Sequence, residues 1–173
     1  MLLQTQDFEQ AYRRLEQPLF NYVYRWVWDR QAAQDLIHDT FERLWHRRQN
    51  LKADGFEALV WTTAINLARN RWRREQVLRW LPLSDPAVKS ATNFATDTDS
   101  PDQALQDDER DRVLRLAMTQ LTRKQREVIL LGLYSGLSRS AQARLLRLPE
   151  GTLASRKNTA SKKLQAIIEK MNT

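Results

Sequence analysis

The side chains with the clearest capacity for chemistry lie together in one short stretch. His38, Glu42 and His46 follow one another at four-residue steps, so on a helix they would share a face. Imidazole nitrogens and carboxylate oxygens at that spacing can bind a metal ion, and Asp35 and Asp39 could add oxygen ligands. Such spacing is also common by chance on amphipathic helices. The sequence has neither a glycine-rich phosphate loop nor a nucleophile with an adjacent base, so we predict no catalytic residue, no metal and no cofactor.

The same stretch, DLIHDTFERLW at 35–45, divides into two helical faces. Apolar side chains share one arc, whereas Asp35, His38, Asp39 and Glu42 share the other. The chain carries a formal net charge of +7, which makes a group of carboxylates on one face unusual. Either this acidic face is simply solvated, or it meets a basic partner. The residues alone leave both interpretations open.

A second group of side chains has the composition of a nucleic-acid contact. It lies in FEALVWTTAINLARNRWRR at 56–74, where Arg69, Asn70 and Arg73 surround Trp72. Arginine attracts phosphate, and an indole can stack on an unpaired base, so this group suits single-stranded or distorted DNA. The alternative is a helix end whose cations complement the helix dipole, with the indole in the core. We favour nucleic acid for the arginines and the core for Trp72.

Trp61 lies in the same stretch, at the edge of the apolar arc that contains Leu59 and Val60. Its indole could stack on a base, or it could be partly buried. Large aromatic side chains dominate small cores, and most of the six tryptophans should be structural. We nevertheless keep Trp61 as a candidate for DNA contact.

Residues 121–164 have the pattern of a helix-turn-helix. A buried helix ends near Gly136, a short helix is capped by Ser138, and a longer polar helix begins near Pro149. A basic second helix after a tight turn fits the major groove of DNA. The alternative is a helical hairpin with a solvated basic face. The candidates for base or phosphate contact are Ser155, Arg156, Lys157, Lys162 and Lys163.

The elements that must position these groups are helices. Apolar residues recur at three- and four-residue steps along most of the chain, and no stretch alternates convincingly at period two, so we predict an all-α fold. Residues 81–106 differ, because three prolines and several serines and threonines mark a flexible linker. We therefore predict an N-terminal helical domain at 1–80, the linker at 81–106, and a C-terminal helical domain at 107–173.

Composition narrows the class of protein further. The 173 residues include no cysteine, which excludes disulfides and thiolate chemistry. No apolar run approaches membrane-spanning length, and the first residues do not form a signal peptide. We predict a cytoplasmic protein without membrane insertion. The excess of arginine and lysine suggests a polyanionic partner.

Taken in order, these segments resemble an extracytoplasmic-function (group IV) sigma factor of bacterial RNA polymerase, in the sigma-70 family. DLIHDTFERLW resembles the polymerase-binding helix of that family, and FEALVWTTAINLARNRWRR resembles its promoter-melting and minus-ten segment. LTRKQREVILLGLYSGLS followed by LPEGTLASRKNTASKKL resembles its minus-thirty-five helix-turn-helix. The resemblance covers nearly the full length, and its matches lie in the expected order on both sides of the linker.

The resemblance implies that the chain binds core RNA polymerase and directs promoter-specific initiation of transcription. The domain at 1–80 would be sigma region 2, and that at 107–173 would be sigma region 4. It also implies an anti-sigma regulator as a partner. The acidic residues that would meet arginines of the polymerase clamp are Asp35, Asp39 and Glu42, and His38 beside them would join the contact. The candidates for minus-ten DNA are Trp61, Asn66, Arg69, Asn70 and Arg73.

The sequence departs from the family pattern within the helix-turn-helix. Arg147 stands where the turn usually holds glycine, and a left-handed backbone would be less comfortable for arginine. Lys157 stands where the family usually has an aliphatic residue. These departures bear on DNA affinity more than on the fold. They keep two alternatives open, namely an ordinary helix-turn-helix transcriptional regulator and a sigma-like mimic that sequesters an anti-sigma regulator.

Overall fold

The computed structural model describes residues 1–80 and 101–171, and the chain divides into two compact units, Met1–Thr96 and Asp97–Thr173. The helices of the first unit are α1 (Thr5–Val27), α2 (Arg30–His46), a 3-10 turn (Arg48–Asn50) and α3 (Phe56–Trp80). Those of the second are α4 (Pro101–Thr119), α5 (Arg123–Tyr134), α6 (Arg139–Leu146) and α7 (Glu150–Met171). The prediction of an all-α fold is confirmed. Across these described helices, none is long and apolar enough to cross a membrane.

The N-terminal unit is built from the mutual packing of α1, α2 and α3. Phe8 of α1 joins the other two helices, because its ring centroid lies 5.9 Å from that of Phe41 and 5.5 Å from that of Phe56. Further along α1, Leu19 and Tyr22 are fully buried. Burial of these large side chains supplies most of the driving force for folding the unit.

The turn between α1 and α2 contains a strained residue. Trp28 has φ 53° and ψ 32°, the left-handed conformation, and its N–H donates to the Tyr24 carbonyl at 2.6 Å. Asp29 follows and caps α2, since its carboxylate accepts from the Ala32 N–H at 2.8 Å. A left-handed backbone costs a non-glycine residue roughly 1–2 kcal/mol, so neighbouring contacts must hold Trp28 in place.

The first residues pair with the segment that leads into α3. The Leu3 N–H donates to the Leu51 carbonyl at 2.9 Å, and the Ala53 N–H donates to the Met1 carbonyl at 3.2 Å. Leu2 and Lys52 thereby form an isolated antiparallel bridge. Leu3 is buried beneath it. The bridge fixes the backbone just before the helix that carries the candidate DNA residues.

In the C-terminal unit, α7 contacts α4, α5 and α6. Met118, Val128 and Leu153 are among the fully buried side chains. Arg126 is also buried, and its guanidinium donates to the Met118 carbonyl at 2.7 Å. That bond satisfies a backbone acceptor at the end of α4, so Arg126 joins the end of α4 to α5.

The helix-turn-helix is formed by α6, a tight turn and α7. The predicted cap is present, because the Ser138 hydroxyl accepts from the Ala141 N–H at 3.2 Å. Arg147 ends α6 with φ 54° and ψ 48°, so the turn is left-handed despite its arginine. The Leu148 N–H donates to the Ala143 carbonyl at 2.9 Å, completing a Schellman-type helix end that usually carries glycine.

The start of α4 differs from the sequence prediction. The helix begins at Pro101, whereas we placed residues 101–106 in the linker and began the helix at Asp107. Proline suits the first helical position, because its missing N–H would have no intrahelical partner there. Residues 81–100 of the predicted linker at 81–106 lie outside the described residues.

Candidate nucleic-acid interface

The acidic face predicted on α2 is present and turned away from the core. Asp35, His38 and Glu42 are exposed, and Asp39 is half-buried. On the opposite side of the helix, residues such as Ile37 are buried. This placement leaves the acidic side chains available to a partner and gives them no role in packing.

Two of these carboxylates accept hydrogen bonds from side chains of the same helix. The Asp39 carboxylate accepts from the Arg43 guanidinium at 2.6 Å, and Asp35 accepts from the Gln31 amide at 2.9 Å. The hydrogen bond to Asp39, followed by its charge, raises the pKa of Arg43. A cationic partner would therefore compete with Arg43 for Asp39, whereas at Asp35 it would displace only a neutral amide.

The residues considered for a metal site do not form one. The His46 Nε2 lies 3.8 Å from a carboxylate oxygen of Glu42, on an exposed part of the helix. Within residues 1–80 and 101–171, no group of three histidine, aspartate or glutamate side chains could hold a metal ion.

The candidate minus-ten residues on α3 form an exposed strip, with one exception. Asn66, Asn70 and Arg73 are exposed at steps of four and three residues, so they follow one line along the helix. Arg69 is half-buried beside this line. We call these four residues the α3 strip. Amide and guanidinium groups in one row can bond both base edges and phosphates.

Trp61 is the exception, and its proposed role in DNA contact is wrong. Its side chain is fully buried, and its ring packs edge-on against Tyr22 with centroids 5.7 Å apart. A base cannot stack on a ring that is enclosed by the core. Trp72 is half-buried, and its ring meets that of Trp26 edge-on at 6.3 Å, so it covers the rim of the same core.

In the C-terminal unit, Ser155 and Arg156 line a shallow groove between the start of α5 and the first half of α7. The opposite wall is formed by Thr122, Lys124 and Gln125. Thr122 and Gln125 form a capping box, in which the side-chain oxygen of each residue accepts a hydrogen bond from the backbone N–H of the other. The groove thus combines a fixed backbone with cations from both walls.

Lys157 lies on a different side of α7 from Ser155 and Arg156. Its side chain extends over Gly132 of α5, where a Cβ atom would come within 2.6 Å of the lysine Nζ. The glycine inside α5, which weakens a helix, therefore makes room for the lysine. Lys157 also lines a second groove with Arg139 and Asn158. Lys162 and Lys163 are exposed farther along α7.

Sequence reasoning missed one wall of the first groove. Thr122 and Lys124 lie at the start of α5, ahead of α6 and α7, and only the folded structure brings them next to Arg156. Thr152 and Thr159 could have been found, because they lie four residues before and three after Arg156 and so share its face. The groove is broader than the residue set predicted from α7 alone.

The sequence is similar to known proteins, both within the N-terminal unit and along most of the chain. Residues 11–77 match the family model for sigma-70 region 2. The RNA polymerase sigma-H factor of Pseudomonas aeruginosa is 28% identical over 159 residues, covering 86% of this chain and 79% of that protein.

Two solved structures share the fold. CnrH in complex with the cytosolic domain of CnrY has a TM-score of 0.66 at 19% identity, covering 96% of this chain and 90% of CnrH. The sigma factor RpoE in complex with the anti-sigma factor NepR from Bartonella quintana has a TM-score of 0.65 at 22% identity, covering 95% of this chain and 98% of RpoE.

The fold and the site define a two-unit, all-α protein whose N-terminal unit contains a sigma-70 region 2 domain. The C-terminal unit presents a helix-turn-helix with a polar groove. The family match therefore shows a sigma-70 region 2 domain at residues 11–77, and the two solved structures show that the chain shares the fold of CnrH and RpoE.

Proposed function

We propose that the chain binds core RNA polymerase as a sigma factor and directs it to initiate transcription at specific promoters. The observation that carries this proposal is the region 2 domain at residues 11–77, followed by a separate unit with a helix-turn-helix. This combination suits a protein that contacts one promoter at two places while held on the polymerase. The chain needs no catalytic residue for this role, because the polymerase performs the chemistry.

The acidic face of α2 would dock on a basic surface of the polymerase. Asp35 and Glu42 are exposed and lie outside the core packing, so they can meet arginines without reorganising the unit. Such charges mainly steer encounter and fix orientation, while the adjoining apolar contacts supply most of the affinity.

Reversing the charge of this face tests the assignment. We expect the double variant D35R/D39R to bind core polymerase roughly tenfold or more weakly, since attraction becomes repulsion at two positions. Glu9→Arg is the matched control, because Glu9 is an exposed acid on α1. Helix content by circular dichroism should stay at the wild-type value in both. Unchanged polymerase affinity of D35R/D39R would remove the acidic face from the interface.

The α3 strip would bind promoter DNA as the strands separate. Asn66, Asn70 and Arg73 can bond an unpaired base and its flanking phosphates. Taking a base out of the stack costs a few kcal/mol, which the contacts made to the extruded base and the polymerase complex must offset. The strip would thereby shift the duplex toward the open state.

The groove between α5 and α7 would contact the upstream element as intact duplex. Ser155 and Arg156 face the DNA in this proposal, and Lys163 follows on the same side two helical turns after Arg156. Lys162 would add phosphate attraction. Because the Lys157 side chain lies over Gly132, it would contact the DNA at the edge of this surface.

Separate footprints distinguish the two DNA contacts. We expect Arg156→Ala to weaken protection of the upstream element by roughly tenfold and to lower permanganate reactivity at the start site much less. Lys170→Ala, an exposed cation at the far end of α7, is the matched control. Loss of strand opening with a normal upstream footprint would reverse the roles of the two units.

The proposal also covers partners and location. CnrH was solved in complex with the cytosolic domain of CnrY, and RpoE was solved in complex with the anti-sigma factor NepR. We propose that an anti-sigma protein of this general kind binds the present chain. We further propose that the chain acts in the cytoplasm, where core polymerase and promoter DNA are found.

A further inference from the structure

A ladder of aromatic side chains runs along the end of α1, outside the three-helix core. The rings of Phe20 and Tyr24 stack with centroids 5.9 Å apart and an angle of 10° between their planes. The centroids of Tyr24 and Trp28 lie 5.7 Å apart. All three side chains are half-buried, so part of each ring reaches solvent. We call Phe20, Tyr24 and Trp28 the aromatic ladder.

Two guanidinium groups lie over the aromatic ladder. The Cζ atom of Arg25 is 4.9 Å from the centroid of Trp28 and 5.4 Å from that of Tyr24. The Cζ atom of Arg30, the first residue of α2, is 5.8 Å from the centroid of Phe20. Cations next to half-exposed rings are the combination that proteins use to bind single-stranded nucleic acid.

The backbone at Trp28 gives an independent reason to assign a function. A bulky aromatic residue holds a left-handed conformation that glycine would adopt without strain. The Trp28 ring is half-buried and contacts Tyr24 and Arg25, so contacts of the aromatic ladder itself help to hold the strained turn. Residues kept in strained conformations cluster at functional sites, since selection retains the side chain for something it contacts.

The aromatic ladder lies at the end of the unit that carries the α3 strip. Trp26, between Arg25 and the strained turn, packs against Trp72 with centroids 6.3 Å apart. Trp72 immediately precedes Arg73, a member of the α3 strip. The end of α1 and the basic half of α3 are therefore in direct contact, and a strand that leaves one could reach the other.

We propose that the aromatic ladder, together with Arg25 and Arg30, is a second binding surface for single-stranded nucleic acid. Bases would stack on Trp28 and its neighbours while the guanidinium groups attract the phosphates. The identity of the strand as promoter DNA rests on the proposed function. The stacking itself does not, because aromatic rings accept any base.

The test uses the full chain and a fluorescein-labelled oligo(dT), with binding followed by fluorescence anisotropy at low salt. We expect Trp28→Gly to weaken binding about tenfold, because the variant loses one stacking ring. Glycine relieves the left-handed strain, so the variant should melt no earlier than wild type. Trp28→Phe, which keeps a ring, should stay within about threefold of wild type.

Three results would overturn the proposal. The first is wild-type affinity for oligo(dT) in Trp28→Gly, and the second is no measurable binding of oligo(dT) by the wild-type chain. The third is a loss of core-polymerase affinity in Trp28→Gly with oligo(dT) binding unchanged, which would make the ladder a protein contact. Promoter-directed RNA synthesis by the wild-type chain is measured separately, so failure of the proposed function would be recognised independently of the oligo(dT) result.

Discussion

The left-handed turn at Arg147 offers a sharp test of the helix-turn-helix geometry. Replacing Arg147 by glycine keeps the backbone hydrogen bonds that end α6, because both donors are backbone N–H groups. The arginine side chain is exposed, so its removal sacrifices little packing. We therefore expect Arg147→Gly to stabilise the C-terminal unit.

The size of the gain follows from two opposing terms. A left-handed backbone costs arginine roughly 1–2 kcal/mol, which glycine avoids. Glycine loses more conformational entropy than arginine on folding, which lowers the gain in the free energy of unfolding by about 0.5–1 kcal/mol. The net gain should be about 0.5–1 kcal/mol, and for a unit of this size the Tm should rise by about 2–8 °C.

Thermal unfolding of the full chain by circular dichroism measures this change. Arg144→Gly is the matched control, since Arg144 is exposed on the same helix and has a right-handed backbone. That control should lose about 1 kcal/mol, because glycine weakens a helix interior. Equal destabilisation by the two substitutions would refute a left-handed Arg147 in solution.

Three further predictions address other parts of the chain. Trp61→Ala should destabilise the N-terminal unit by about 3–5 kcal/mol in denaturant unfolding, and wild-type stability with weakened DNA binding would restore Trp61 as a contact residue. Gly132→Ala should push the Lys157 side chain aside, because the new Cβ would lie 2.6 Å from the lysine Nζ. Adding Lys157→Ala removes that clash, so the double variant should have a higher Tm than Gly132→Ala alone. A lower Tm of the double variant would contradict the close approach of Lys157 to Gly132. Burial, and then the charge and hydrogen bond of Glu16, raise the pKa of Tyr12, so this phenol contributes stability that is present below pH 10.0 and is lost as pH rises through the raised pKa. Tyr12→Phe should unfold less steeply with rising pH than wild type, and identical alkaline unfolding curves would contradict that.

The fold could be predicted well from the sequence, because the spacing of apolar residues in an amphipathic helix identifies its buried face. The apolar arc of 35–45 is the buried face of α2, the Ser138 cap is present, and α7 begins at Glu150, next to the Pro149 start that the pattern predicts. The start of α4 was the exception. A proline followed by polar residues is typical both of a linker and of a first helical turn, so composition alone could not separate the two.

The candidate site was harder to predict, because exposure depends on packing between helices. Trp61 stands at the edge of its apolar arc, and only the contact with Tyr22 of α1 encloses it. Similarly, Lys157 follows Arg156 directly, yet a helical step of 100° places it over Gly132 instead of in the groove. Neighbouring positions on one helix can therefore have different partners.

The left-handed backbone at Arg147 and Trp28 is another feature that could not be predicted from the sequence. Neither residue type suggests a left-handed backbone, and at Arg147 the sequence made that conformation the less comfortable choice. Arg147 adopts the left-handed conformation because the backbone hydrogen bonds that end α6 and the position of the following helix fix the path of the chain. Tertiary structure thus overrides local preference at both turns.

The most direct measurement is run-off transcription by sigma-free core RNA polymerase, with and without the purified chain, on fragmented genomic DNA. The proposal predicts discrete RNA 5′ ends that require the chain and share two separated upstream elements. A folded chain that binds the polymerase yet yields no new 5′ ends would contradict it and favour a mimic. Stable binding to duplex operator DNA without polymerase would instead favour an ordinary helix-turn-helix regulator.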